Sequence, residues 1–291
     1  YKTEVTNIPL LVSTLSTKTV VSSRQVTFPG PGPGPGPGPG PAAVPAPSGD
    51  IIANGDETSA DQIRIWDVAL DAANDRLYGV GFRRVGTANR KAIILARKAD
   101  GTPDLAFNGT GEVQLDTAVY GSENTEEFFG VAVDSAGDIY ACGKLCTDAN
   151  CANAGGSGWG WWVQKVDSNG NLVWADKTTF NDGSVSYDVC QDVEYDPIND
   201  RIIAVGPTSS AANGVASYDP GSATPSWSRL STVGSFQAGL GRMNTVAISA
   251  DDAAIYILGT TGGTSYEISR ITADGATLTV SASIVGPPSG G

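Results

Sequence analysis

Four cysteines (Cys142, Cys146, Cys151 and Cys190) and the absence of any histidine define the chemistry open to this chain. Without an imidazole it cannot build a Ser-His-Asp or Cys-His nucleophile, nor a histidine-ligated metal centre. Two readings compete for the cysteines. Zinc would call for paired Cys-x-x-Cys knuckles, which the spacing lacks. Disulfides suit the acidic, Thr/Ser/Gly-rich surface of a secreted protein. We therefore expect Cys146 to pair with Cys151 across the loop Cys-Thr-Asp-Ala-Asn-Cys, leaving Cys142 to pair with Cys190 by elimination.

Paired carboxylates are the remaining catalytic option, but the acidic residues concentrate in recurring turns, as at Asp71, Asp134 and Asp196. There a side-chain oxygen can accept from nearby backbone N–H groups and fix the turn. Calcium is the rival, through Asp71/Asn74/Asp75 and Asp196/Asn199/Asp200, although neither has the Asp-x-Asp-x-Asp-Gly spacing of a calcium loop. We assign no catalytic residue, metal ligand or cofactor, and expect no enzyme. Trp159, Trp161 and Trp162 follow a glycine-rich insertion and could form an aromatic platform for a sugar or protein, or pack in the core. Asn108-Gly109-Thr110 is an N-glycosylation acceptor pattern.

These residues must be carried by strands. One pattern recurs four times: an apolar strand, an Asp-rich turn, and a second apolar strand closing on glycine. The copies run from Asp67-Val-Ala-Leu-Asp71 to Gly81, from Gly130-Val-Ala-Val-Asp134 to Gly143, from Asp192-Val-Glu-Tyr-Asp196 to Gly206, and from Thr245-Val-Ala-Ile-Ser249 to Gly259. Third strands are expected at 92–97, 161–166 and 266–271, and fourth strands at 113–115, 172–174, 227–230 and 278–283. Four antiparallel strands per unit describe the blades of an all-β β-propeller of about four blades over residues 51–286. Ile51-Ile52 and the stretch 278–283 are both candidates for the strand that closes the ring.

Asp100-Gly-Thr-Pro-Asp-Leu-Ala-Phe-Asn-Gly-Thr-Gly-Glu-Val113 resembles the signature of the delta-60 type β-propeller repeats. Val131-Ala-Val-Asp-Ser-Ala-Gly-Asp-Ile-Tyr-Ala-Cys-Gly143 is similar to the related SBBP-type repeats of secreted microbial proteins. The resemblance covers residues 61–286 and implies fold and secretion rather than one activity. The full signature occurs once, and the other copies keep only the strand-turn-strand half.

Ahead of these repeats, residues 29–41 alternate proline and glycine inside a Pro/Gly-rich linker at 29–50, and residues 1–28 form a Thr/Ser/Val-rich arm. Such a tract joins neither helix nor sheet and acts as a spacer, about 40 Å long as polyproline II. Val5, Ile8, Leu10, Val12, Leu15, Val20, Val26 and Phe28 fall on both alternating phases of the arm, so both of its faces need cover. An extended segment of this kind satisfies its backbone by adding to a sheet edge. Docked head-to-tail on an identical subunit, it would propagate a filament.

With 18 basic against 31 acidic side chains the chain carries −13, which disfavours nucleic acid and anionic membranes. No apolar run reaches the roughly 20 residues of a membrane span. The start at Tyr1, without Met or an apolar leader, fits a signal peptide already removed. The reading is an extracellular structural subunit with a short tail at 287–291. The competing classes are an adhesin that binds surface glycan or protein and a secreted enzyme using Asp and Glu.

Overall fold

The computed structural model describes residues 62–85, 89–115, 126–146, 159–180, 188–208, 212–230, 243–250, 254–260, 265–272, 275 and 278–285. The chain divides between Ala42 and Ala43 into two units. The expected arm and linker, and the strand considered at Ile51-Ile52, lie outside the described residues.

Sixteen strands and no helix occur among the described residues. They form four antiparallel four-stranded sheets, each hydrogen-bonded in simple chain order. The first holds β1 (Ile63–Asp71), β2 (Arg76–Val85), β3 (Asn89–Lys98) and β4 (Glu112–Leu115). The second holds β5 (Glu127–Val133), β6 (Ile139–Cys146), β7 (Trp159–Val166) and β8 (Leu172–Asp176). The third holds β9 (Asp192–Asp196), β10 (Arg201–Thr208), β11 (Ala212–Tyr218) and β12 (Trp227–Leu230). The fourth holds β13 (Met243–Ile248), β14 (Ile255–Thr260), β15 (Ser265–Ile271) and β16 (Leu278–Val285). The four sequence repeats are thus the first two strands of each sheet. The stretch 278–283 is the last strand of its own sheet, paired to β15.

The closing glycines have a steric cause. In the first, second and fourth sheets the first strand carries a register shift, at Ile65/Asp67, Phe128/Gly130 and Met243/Thr245. The irregularity drives a carbonyl of the first strand against the second. A Cβ on Gly81 would overlap the Arg64 carbonyl oxygen, and one on Gly143 the Glu127 carbonyl oxygen. In the third sheet the segment before β9 presses the Val189 carbonyl against Gly206 in the same way. Only glycine leaves room for the bulge.

The core is a succession of face-to-face sheet packings. Tyr78, Val80, Ile94 and Phe107 of the first sheet and its β3–β4 turn pack with Phe128, Ile139 and Trp162 of the second. Trp161, Tyr140 and Val163 on the second sheet's other face pack with Ile202, Ala204 and Tyr218 of the third. Ile203, Val205 and Val215 then meet Val246, Ile255 and Ile257 of the fourth. Strand alternation therefore buries Trp161 and Trp162 on opposite faces of β7, both fully. Backbone bonds cross the same joints: the Glu126 amide donates to the Arg90 carbonyl and the Asp188 amide to the Trp159 carbonyl, each at 3.1 Å.

Candidate functional site

In an antiparallel meander the first and third connections of every sheet share one end, and the second connection and the link onward share the other. Short Asp-containing turns occupy the first end, and they explain the repeated carboxylates. The Asn74 amide donates to Asp71 Oδ1 at 3.1 Å and its side chain to Oδ2 at 2.8 Å. Asp134 Oδ1 accepts the Ala136 and Asp138 amides, each at 2.9 Å, and its Oδ2 accepts the Tyr140 hydroxyl at 2.8 Å. Asp196 accepts the Ile198 and Asn199 amides, the Asn199 side chain and Arg201 Nε. These bonds hold the Asp196 carboxyl below the usual carboxylate range despite its burial. Asp75 and Asp200 complete the turns at φ 55° and 47°, in the left-handed region that Asp tolerates. The turn reading is what the geometry displays.

The opposite end carries a buried ion network. Glu127 accepts Arg90 Nη1 at 2.5 Å and Trp66 Nε1 at 3.2 Å, and lies 3.5 Å from Lys144 Nζ. Lys144 Nζ sits 3.4 Å from the Trp159 ring centroid, and burial pulls its pKa down. One face of the Trp159 indole is therefore occupied by an ammonium group. Of the three tryptophans considered as a platform, Trp161 and Trp162 are fully buried, and Trp159 is partly buried with the ammonium group over one face.

Two further carboxylates clasp neighbouring sheets through their first strands. Asp67 Oδ2 accepts the Val131 amide at 3.0 Å, and Asp192 Oδ2 accepts the Val246 amide at 2.9 Å and the Thr245 hydroxyl at 2.5 Å. Between them sits Gly130, where a Cβ would stand 2.8 Å from Asp192 Cα. Desolvation pushes the Asp192 carboxyl up to about 7, with the charge of Asp67 adding to the rise. This junction was not legible as a site: each carboxylate has to meet a strand more than fifty residues away.

The expected second disulfide is absent, since Cys142 and Cys190 are free buried thiols. They lie together in the core between the second and third sheets, where burial raises both pKa values. The elimination failed because it assumed that every cysteine was paired; a fully buried thiol is also a stable small apolar group. Cys146 is disulfide-bonded, and its expected partner Cys151 lies outside the described residues. Asn108 is exposed at φ 51°, and its side chain donates to the Glu112 carbonyl at 2.9 Å. The arm residues Val5, Ile8, Leu10, Val12, Leu15, Val20, Val26 and Phe28 lie outside the described residues.

Each of the four sheets ends in a strand with one hydrogen-bonded neighbour among the described residues. β4, β8, β12 and β16 are the last strands of their sheets. On β4 the apolar Val113 and Leu115 are buried, whereas on β8 Leu172 is 56% exposed and Val173 52%. A register shift beside Leu172 swings the chain so that two adjacent apolar side chains face solvent.

The fold is thus an all-β stack of four antiparallel sheets. No family model matches the chain, and no curated protein does. Among solved structures it is similar to a chain from a mitotic checkpoint complex, at 11% identity and TM-score 0.44, covering 77% of this chain and 66% of that one. It is also similar to a Lactobacillus plantarum protein, at 14% identity and TM-score 0.42, covering 78% and 72% respectively. A third is a glycoside hydrolase whose engineered active site displays endo-xylanase and exo-arabinofuranosidase activity, at 14% identity and TM-score 0.40, covering 79% of this chain and 44% of that one. Likenesses this remote carry no argument about activity.

Proposed function

We propose that this chain is the structural subunit of an extracellular filament. It would be a four-bladed β-propeller of the delta-60 and SBBP-type repeat kind, whose N-terminal arm adds beside an outer strand of the next copy. The observation that carries the reading is the edge of β8, where Leu172 and Val173 stand exposed at the rim of an otherwise well-packed sheet. Exposed apolar edges are avoided in a solitary protein and retained where another strand covers them.

The arm has the matching character. Its apolar residues lie on both phases, and it carries Lys2, Lys18 and Arg24 against Glu4. The remaining 263 residues hold fifteen basic and thirty acidic side chains, so arm and body attract. A 13-residue Pro-Gly spacer gives the reach to leave one subunit and meet the next.

The test is negative-stain microscopy of the full chain, of a chain lacking residues 1–28, and of Leu172→Lys/Val173→Lys, with circular dichroism to check folding. Filaments are expected from the first alone. Filaments from the truncated chain would overturn the reading, and a binder of glycans would instead bind its ligand as a monomer.

A further inference from the structure

The first two strands of every sheet align residue for residue across the repeats, so each side chain can be compared with its counterparts. On the first strands, Val131 and Val133 pack in the joint between the first and second sheets, Val193 and Tyr195 in the joint between the second and third, and Val246 and Ile248 in the joint between the third and fourth. Their counterparts on β1 are Val68 and Leu70. There the pattern breaks: Val131, Val193 and Val246 are at most 5% exposed, whereas Val68 is 45% and Leu70 38% exposed. Ile93 and Leu95 lie farther out on the same face, in the cross-strand rows of Gly81 and Gly79, and are buried. What stands open is the β1 margin of that face.

The fourth sheet shows the other half of the same joint. Ala69 and Ala132 belong to the first two joints, but their counterpart on β13, Ala247, is exposed. On the second strands Tyr78 and Val80, Tyr140 and Cys142, and Ile203 and Val205 are fully buried in the three joints. The matching Tyr256 and Leu258 of β14 are only partly buried. The fourth sheet therefore ends in a face of the kind that receives a first strand, and the first sheet begins with a first strand of the kind that is received. Closure of one chain on itself would bury Val68 and Leu70 as their counterparts are buried. We infer that the fourth sheet of one copy packs on the first sheet of a second copy, repeating between molecules the joint made three times within one. The propeller is then open at its fourth joint and completed by a neighbour. Stacking of like units is how repeat proteins extend a core, and the contact is heterologous, so it propagates unless it closes into a ring. The inference goes beyond the filament reading, because it stands on the repeats rather than on the arm.

The experiment is disulfide trapping in the full chain. Val68→Cys and Ala247→Cys are made separately, mixed, and oxidised by air with a copper catalyst, which joins the thiols and passes their electrons and protons to oxygen. Mass spectrometry of the linked peptides identifies the product. A mixed disulfide is expected, at least about tenfold above that between Val68→Cys and the open-surface control Gly221→Cys, because thiols held in one complex meet far more often than free ones. The double variant Val68→Cys/Ala247→Cys is expected to give covalently linked copies. A double variant whose disulfide forms within single molecules shows the ring closing on itself and overturns the inference, as does a mixed link no stronger than the control. Linked copies without filaments would uphold the joint and overturn the filament reading. Filaments that require residues 1–28 but never link at Val68 would overturn the joint and leave the arm reading intact.

Discussion

Asp192 makes the fold's stability depend on pH in a window where ordinary carboxylates are silent. Its carboxyl accepts the Val193, Val246 and Thr245 donors, yet desolvation, with Asp67 adding repulsion, pushes it up to about 7. In the unfolded chain it titrates near the ordinary value of 3.8. A pKa raised on folding contributes stability that is complete below the unfolded value and is lost as pH rises through the folded one. Between pH 4.5 and 7.5 the linkage amounts to about 3 kcal/mol, with each pKa unit worth about 1.4 kcal/mol. Because the residue as a whole keeps some solvent contact, that figure is an upper value. In a domain of this size about 3 kcal/mol corresponds to roughly 6–10 °C in Tm. The assay is thermal unfolding of the wild type and of Asp192→Asn from pH 4.5 to 7.5. The variant loses one acceptor facing the Val246 amide or the Thr245 hydroxyl, which lowers its stability by about 1–3 kcal/mol at every pH. The wild type should fall relative to the variant as pH rises. A wild-type-minus-variant difference that stays constant from pH 4.5 to 7.5 would refute the reasoning.

Gly143→Ala should cost more than about 3 kcal/mol, because its Cβ has no space beside the Glu127 carbonyl, whereas Gly221→Ala, with nothing within 4 Å, should be near neutral; urea unfolding compares them. Glu127→Gln leaves Lys144 buried without its charge partner and should lower stability by about 3 kcal/mol in the same assay. The native protein should show no reaction of Cys142 or Cys190 with a thiol reagent, and the unreduced unfolded chain should show two reactive thiols; four would contradict the bonded state of Cys146.

The sequence made the repeats legible because sterics wrote them. A bulge facing the second strand admits only glycine at Gly81 and Gly143, and the turn needs an acceptor such as Asp71 or Asp196, so both recur at fixed offsets. β11 escaped notice: its Asn213-Gly214 opening reads as a turn, and Gly214 is required where Phe180 packs, 2.7 Å from where a Cβ would stand. The Asp67 and Asp192 clasps, the free Cys142/Cys190 pair and the exposed Leu172/Val173 edge depend on which sheets meet. No local pattern records that. Trp161 and Trp162 fell between these cases, since strand alternation sends one of them to the core whatever the fold, but only the stacking of sheets on both sides shows that each is core.

The arm's role is most directly tested by mixing. A purified chain lacking residues 1–28, labelled and added to full-length protein, keeps its β8 edge but has no arm to give, so it should cap growing filaments at one end and shorten them in proportion to its share. Filament lengths unchanged by an equimolar amount of the truncated chain, with no label at their ends, would contradict assembly by strand addition.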